Sequence, residues 1–118
     1  MKGKILIVDH DLANRGYLKE CLEKEGHLVI ALSDLSRLND FLSEGQRAVF
    51  ILNIDTPGVR ERTLLNQIKK SGPSRVLLVV SERGDPFLKE AIDLGVYGFI
   101  YKPFNLKEVC TLAHHLTR

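Results

Sequence analysis

The sequence has little of what marks the specialised classes of protein. It contains no tryptophan, one methionine, four prolines and two cysteines in 118 residues. Two cysteines are too few for a disulfide scaffold or a metal cluster, so we expect Cys21 and Cys110 to be packed thiols rather than a redox pair. No apolar run is long enough to cross a membrane, and the N-terminus meets an acid too early for a signal peptide.

The charge balance is weak as well. Seventeen basic and 15 acidic residues give a formal net charge of +2. No basic run reinforces this charge, which argues against direct binding of nucleic acid. A chain of this length predicts a single domain over residues 1–118. From the two cysteines and the lack of a signal peptide or apolar span, we expect this domain in the cytoplasm and without a membrane partner.

Short apolar runs alternate with longer amphipathic segments along the chain. The apolar runs are mostly continuous and β-branched, which predicts strands buried on both faces and therefore a parallel sheet. The second and fifth runs are weaker or more mixed, which favours positions near the sheet edges. The five predicted strands are Ile5–Val8, Leu28–Ala31, Val49–Leu52, Val76–Val80 and Gly98–Tyr101.

Each amphipathic segment predicts a helix with a start or stop signal. The signals are Asp11 and Gly26 for the first helix, Asp34 and Gly45 for the second, Gly72-Pro73 ending the third, Asp85-Pro86 starting the fourth and Asn105 starting the fifth. The first helix is expected to bury Tyr17, Leu18, Cys21 and Leu22, and the fourth to bury Ala91, Ile92 and Leu94. Five βα units predict a doubly wound α/β fold, with helices on both faces of the sheet.

Polar residues follow four of the five predicted strands. In doubly wound folds, functional residues gather at the carboxyl ends of the strands, so these residues are candidates for one site. The segments are Asp9-His10-Asp11 after the first strand, Asn53 to Asp55 after the third, Ser81-Glu82 after the fourth and Lys102-Pro103-Phe104 after the fifth.

These segments resemble the receiver domains of response regulators in two-component signalling, over nearly the whole chain. The matching motifs are ILIVDHD, LNIDTPG, VVS and GVYGFIYKPF, with Arg15 six residues after the first acid. The resemblance implies a five-stranded, flavodoxin-like (βα)5 fold with the strand order 2-1-3-4-5.

The position that defines chemistry in that family carries an amide here. Receiver domains accept a phosphoryl group from a sensor kinase on an aspartate four residues before a loop proline. Counting back from Pro57 places Asn53 at this phosphoacceptor position. A neutral carboxamide is a poor nucleophile, so the resemblance implies a pseudo-receiver that acts through protein–protein interaction and has no catalytic residue.

The metal-ligand positions also depart from the family pattern. Receiver domains hold Mg²⁺ with two consecutive acids, whereas Asp9 is followed by His10, and Asp55 stands where a backbone carbonyl serves the metal. Mg²⁺ prefers several anionic oxygens, so we expect no cofactor or only weak Mg²⁺ binding. We expect Asp9 to face Lys102, Asn53 to hydrogen-bond Lys102 or nearby backbone, and the Asp55 side chain to cap its own turn.

The resemblance assigns three supporting switch positions. Ser81 and Lys102 match the hydroxyl and the ammonium that contact the phosphoryl group, and Phe99 matches the aromatic that rotates. Simple packing is an equal alternative for Phe99. The fourth helix, fifth strand and fifth helix are the expected docking surface for a sensor kinase, an output domain, another signalling protein or a second copy. Its aromatic anchors are Phe87, Tyr97, Tyr101 and Phe104.

Other functions stay open at this point. Asp55 or His10 could take the phosphoryl group with Mg²⁺, and deamidation of Asn53 would recreate an acceptor aspartate. His10 could hold a transition metal together with Asp9 and Asp11. A flavodoxin-like cofactor-binding domain is the third alternative, although the HDLANRG loop lacks the glycines of a phosphate cradle. Any output domain would lie beyond Arg118.

Overall fold

The computed structural model describes residues 4–42, 48–72 and 74–117. Strands and helices alternate along these residues. The strands are β1 (Lys4–Val8), β2 (Leu28–Leu32), β3 (Ala48–Asn53), β4 (Ser74–Val80) and β5 (Gly98–Tyr101). The helices are α1 (Leu12–Lys24), a 3-10 helix (Leu38–Phe41), α2 (Arg62–Lys70), α3 (Phe87–Asp93) and α4 (Leu106–Leu116).

The five strands form one parallel sheet in the order β2-β1-β3-β4-β5. This confirms the predicted class, the predicted order and the edge positions of the second and fifth strands. Val8 at the end of β1 lies beside Leu32 and Leu52, and Asn53 lies beside Val79. The carboxyl ends of the strands therefore meet at one edge of the sheet.

Helices cover both faces of the sheet, and alternate strand residues supply the two cores. Helices α1 and α4 cover one face, where the core includes Ile5, Ile7, Leu18, Leu22, Val109 and Ala113. Helices α2 and α3 and the 3-10 helix cover the other, where it includes Leu6, Val8, Leu38, Leu65, Ile68 and Ala91. No helix in the described part of the chain is long and apolar enough to cross a bilayer.

Two of the predicted helix caps are confirmed by hydrogen bonds. The Asp11 carboxylate accepts from the backbone N–H of Asn14 at 3.1 Å. The Asn105 side chain accepts from the N–H of Lys107 at 2.8 Å. Gly26 follows α1 with φ of 91°, a left-handed conformation that favours glycine at a helix end.

The predicted second α-helix is wrong for the residues that the structure describes. Residues 34–42 form bends, turns and the 3-10 helix, whereas Gly45 lies outside the described residues. The Asp34 carboxylate accepts from the Ser36 backbone N–H at 2.9 Å and from its hydroxyl at 2.6 Å. This local bonding holds a turn in place of a helical start, while Leu38 and Leu42 are still buried.

Two predicted core residues are on the surface. The exposed fractions of Tyr17 and Ile92 are 60% and 59%, so their assignment to the buried stripes is wrong. The buried faces of these helices are therefore narrower than predicted. Leu18 and Leu22 of α1 and Ala91 of α3 are buried, whereas Tyr17 and Ile92 beside them are exposed.

The two cysteines are not independent thiols. Cys21 on α1 and Cys110 on α4 lie on the same face of the sheet. Their Sγ atoms form a disulfide between residues 89 apart in sequence, with the Cα atoms separated by 6.9 Å. The expectation of separate packed thiols is therefore wrong.

Candidate functional site

The carboxyl edge of the sheet brings the predicted site residues to one end of the molecule. Asp9 follows β1, Asn53 ends β3, Ser81 follows β4 and Lys102 follows β5. Asp9 and Asn53 are buried, whereas Ser81 is exposed and Lys102 is half-buried.

Asp9 is a buried carboxylate with unequal oxygen atoms. Its side chain is 1% exposed. Oδ1 accepts from the backbone N–H of Asp11 at 2.8 Å and from Asn53 Nδ2 at 3.1 Å. Oδ2 is buried without a hydrogen-bond partner among the residues that the structure describes. Arg15 Nη1 donates to the Asp9 carbonyl oxygen at 2.8 Å, which places a positive charge near this residue.

Both ends of the Asn53 amide are occupied by neighbouring groups. Nδ2 donates to Asp9, and Oδ1 accepts from the Asp55 backbone N–H at 2.9 Å. The backbone alternative for Asn53 is therefore the one observed, because Lys102 forms no ion pair or side-chain hydrogen bond with the described residues. The Ile54 N–H donates to the Val79 carbonyl at 3.1 Å. Deamidation of Asn53 requires the Ile54 backbone nitrogen to attack the side-chain amide, and this hydrogen bond restrains that nitrogen.

The His10 ring is held by Thr56, with its Nδ1 3.9 Å from Asp9 Oδ1. The His10 backbone N–H donates to Thr56 Oγ1 at 3.0 Å, and the ring Nδ1 lies 3.2 Å from the same oxygen. Asp11 faces the first turn of α1, where the Asn14 N–H lowers the pKa of its carboxyl group. Residues 4–42, 48–72 and 74–117 contain no group of three His, Cys, Asp or Glu side chains suited to a metal ion.

Asp55 crosses to the neighbouring loop, so the expectation that it caps its own turn is wrong. Its Oδ1 accepts from Arg60 Nη2 at 3.1 Å, and its Oδ2 accepts from the Ser81 hydroxyl at 3.1 Å. Arg60 also binds Asp85 through both carboxylate oxygens, at 2.7 and 2.6 Å. The Arg60 guanidinium lowers the pKa of Asp85. Asp85 in turn accepts from the Phe87 N–H at 2.9 Å at the start of α3.

Arg60 is the functional neighbour that the sequence reasoning missed. It joins the loop after β3 to the loop after β4, through Asp55 and Asp85. Its sequence signal is that it is the only cation between β3 and α2, in a loop that also carries Asp55. Local pattern gives no indication that the side chain reaches a residue 25 positions away.

We expect Arg60→Gln to destabilise the protein by about 1 kcal/mol at neutral pH, since it removes a bidentate pair to a nearly buried carboxylate. The folded-state pKa of Asp85 is lowered, so this stabilisation is present above the ordinary pKa of aspartate, 3.8, and is lost as the pH falls through the lowered value. Urea unfolding between about pH 7 and pH 3 should show that the free energies of unfolding of the wild type and Arg60→Gln become equal in acid. Arg62→Gln, which removes an exposed pair with Glu90, is the matched control and should change stability by less than about 0.5 kcal/mol.

Aromatic residues of β5 form the expected surface next to α4. The Phe99 and Tyr101 rings are 6.3 Å apart, and Arg83 Cζ lies 4.1 Å from the Tyr101 ring centroid. Tyr97 is 46% exposed beneath Arg75. A cavity of about 420 Å³ is lined by Arg83, Phe99, Tyr101, Phe104, Glu108 and Leu112.

Phe87 is a correction to the predicted surface. It is only 8% exposed and packs into the core from the first turn of α3, with Arg60 Cζ 5.9 Å from its ring centroid. The position directly after Asp85-Pro86 turns its side chain inward, so the open aromatic surface contains Tyr97, Tyr101 and Phe104 without Phe87.

Comparisons with known proteins agree with this fold and arrangement. The family model for the response regulator receiver domain matches residues 5–114. The regulator NtrC of a Bradyrhizobium strain is 30% identical over 113 residues, which cover 94% of this chain and 23% of that protein. The aerobic respiration control protein ArcA of Escherichia coli is 27% identical over 112 residues, which cover 95% of this chain and 47% of ArcA.

Solved structures show the same architecture. Full-length FixJ from B. japonicum superposes with a TM-score of 0.85 at 25% identity, over 98% of this chain and 58% of that one. A CheY-like receiver domain protein from Methanospirillum hungatei superposes with a TM-score of 0.79 at 21% identity, over 99% and 95%. The chain spans a quarter to a half of the length of the curated relatives named above. The chain belongs to the response regulator receiver domain family.

Proposed function

We propose that this chain is a pseudo-receiver, a receiver domain that signals by protein–protein contact without accepting a phosphoryl group on Asn53. The observation that carries the proposal is the use of the Asn53 amide: its Nδ2 donates to Asp9 and its Oδ1 accepts from the Asp55 N–H. The amide carries no charge, and its lone pairs are delocalised or engaged, so attack on phosphorus is unfavourable.

The donor set fits Mg²⁺ poorly. Asp9 Oδ2 is one available anionic oxygen. The Asn53 Nδ2 hydrogen atoms face the other Asp9 oxygen, and the His10 ring stays near Thr56. Mg²⁺ requires octahedral coordination by hard oxygen ligands, which an amide N–H and an imidazole do not supply. Weak Mg²⁺ binding or none is therefore part of the proposal, and no chemical step is assigned to the metal.

The switch residues support a fixed conformation. The Ser81 hydroxyl donates a hydrogen bond to the Asp55 carboxylate. The Arg60 guanidinium donates to both Asp55 and Asp85. This chain of bonds joins the loops that follow β3 and β4, so the Ser81 hydroxyl is engaged at a carboxylate of the protein itself. We infer that Ser81, Lys102 and Phe99 keep positions typical of the family without responding to a phosphoryl group.

The contact surface proposed for signalling consists of Tyr97, Tyr101 and Phe104 on α3–β5–α4. Tyr97 is exposed, and Tyr101 and Phe104 are half-buried. Aromatic and arginine side chains are frequent anchors of protein interfaces. The proposed partners are a sensor kinase, an output domain, another signalling protein or a second copy of the chain. No enzymatic activity is assigned to the domain.

The test is exposure to acetyl phosphate and Mg²⁺, followed by intact mass spectrometry. We expect no phosphoryl mass on the wild-type chain and unchanged binding to any partner that the surface recognises. A phosphoryl group found on Asp55 or His10 would contradict the proposal and favour the phosphorelay alternative. Beryllofluoride bound at the site together with Mg²⁺ would contradict it equally.

A further inference from the structure

The disulfide lies in an open cavity between the first and last helices. Cys21, Glu25, Lys107, Cys110, Thr111 and His114 line this cavity, which has a volume of about 470 Å³. Cys21 is half-buried, whereas Cys110 is 6% exposed. A small molecule in the cavity would therefore meet the Cys21 sulfur first. None of these residues belongs to the site at Asp9 and Asn53.

The surroundings suit the dithiol as well as the disulfide. The Cys21 sulfur lies 3.7 Å from the Leu106 carbonyl oxygen, which can accept from the thiol when the bond is open. Cys110 lies on the buried face of α4 in the apolar core, where a thiol packs as a small hydrophobic group. The Cα separation of 6.9 Å is just within the limit of about 7 Å beyond which a disulfide requires backbone movement. The two thiols can therefore form the bond from this arrangement of α1 and α4.

We propose that Cys21 and Cys110 form a thiol–disulfide exchange site for low-molecular-weight thiols and disulfides. Glu25 and Lys107 place one negative and one positive charge at the cavity, which suits a small peptide thiol that carries ammonium and carboxylate groups. The site does not depend on the chemistry at Asn53, so it goes beyond the pseudo-receiver proposal.

Oxidation takes place in two exchange steps. The Cys21 thiolate attacks one sulfur of a small disulfide RSSR, forms a mixed disulfide and releases RS⁻. The Cys110 thiolate then attacks the Cys21 sulfur, forms the Cys21–Cys110 bond and releases the second RS⁻. Two protein thiols lose two electrons and two protons, and RSSR becomes two RSH. The reverse sequence, with RSH as the reductant, begins at the more exposed Cys21 sulfur.

The consequence is a redox-dependent link between α1 and α4. A bond between residues 89 apart restricts the unfolded chain strongly. We expect the oxidised form to melt roughly 10 °C above the reduced form. Since Phe104 and Glu108 at the start of α4 also line the aromatic cavity, the link fixes one wall of the proposed contact surface.

The test is equilibration of the full chain in anaerobic buffers of reduced and oxidised glutathione, followed by alkylation and intact mass spectrometry. We expect both alkylation sites to disappear together as the buffer becomes more oxidising, with a net loss of two hydrogens, and to return on reduction. The oxidised sample should show the higher Tm. Free thiols at every ratio, persistent glutathione adducts or intermolecular dimers would each overturn the proposal.

Two variants test the order of attack. Cys110→Ser should accumulate a single glutathione adduct on Cys21, because the resolving thiol is absent, whereas Cys21→Ser should react at least tenfold more slowly at the buried Cys110. Equal rates would overturn the assignment of Cys21 as the entry sulfur. The wild-type titration needs no substitution, so it decides the existence of the exchange site even if a variant fails to fold.

Discussion

Asn53→Asp is expected to destabilise the protein in the absence of divalent cations and to create a response to Mg²⁺ that the wild type lacks. In the wild type, Asn53 Nδ2 lies 3.1 Å from Asp9 Oδ1, and both side chains are 1% exposed. The substitution replaces a hydrogen bond with two buried carboxylates facing each other. Repulsion between such groups should cost roughly 1 to 4 kcal/mol, which for a chain of this length lowers Tm by about 4 to 16 °C.

Mg²⁺ should reverse most of that loss because it binds between the two carboxylates. Thermal melts with EDTA and with about 10 mM Mg²⁺ measure the effect, and the wild-type Tm should change by less than about 2 °C, as expected when the Kd is above the metal concentration. Addition of His10→Asp to the variant should strengthen the response by restoring a second acid. The single variant Asn53→Asp should also gain one phosphoryl group from acetyl phosphate.

Asn66→Asp is the matched control, since it introduces the same charge at an exposed position of α2. It should change Tm by less than about 2 °C with or without Mg²⁺. A wild-type chain stabilised by several degrees in Mg²⁺ would contradict the pseudo-receiver proposal. An Asn53→Asp variant as stable as the wild type in EDTA would show that the two carboxylates are not in contact.

The strands could be predicted from sequence because their signal is local and strong. Runs of four or five consecutive apolar residues favour strands that are buried on both faces, so the predicted bounds of β1, β3 and β4 agree with the structure to within one or two residues. The caps at Asp11 and Asn105 were predictable for a related reason, since each side chain bonds to the backbone two or three residues later. The strand order came from the family resemblance, because local pattern does not specify which strands are neighbours.

The errors have a different physical origin. Amphipathic stripes define a helix face only approximately, so Tyr17 and Ile92 were assigned to the core although they lie on its flank. Asp34 was predicted as a helix start because capping and turn formation use the same side-chain hydrogen bonds. In this chain Asp34 bonds to Ser36 and forms a turn, and no α-helix starts there.

The sequence predicted which residues lie at the site better than it predicted the hydrogen bonds between them. The motifs identified Asp9, Asn53, Ser81 and Lys102 as residues at one edge of the sheet. They did not indicate that Asp55 would bind Ser81, because that contact depends on Arg60 and Asp85 from two different loops. The disulfide between Cys21 and Cys110 was missed for the same reason, since it depends on how two distant helices pack.

Asp9→Asn is expected to stabilise the protein, by about 1 to 2 kcal/mol. The carboxylate is buried, and its Oδ2 has no hydrogen-bond partner in the described part of the chain. Its ion-pair partner there is His10, whose Nδ1 lies 3.9 Å from Oδ1. Burial of a poorly compensated charge is unfavourable. The amide retains an oxygen that can accept from Asp11 and Asn53, while the charge is removed.

The dependence on Mg²⁺ separates this explanation from an ordinary metal site. If Asp9 were a working Mg²⁺ ligand, the gain from Asp9→Asn in EDTA would disappear in Mg²⁺, because only the wild type would bind the ion. In the pseudo-receiver the gain should be equal in both buffers, as measured by urea unfolding. Asp93→Asn, which removes a charge from an exposed position on α3, should change stability by less than about 0.5 kcal/mol. A loss of stability in Asp9→Asn would mean that the Asp9 charge is compensated within the fold, most directly by Arg15 at its carbonyl.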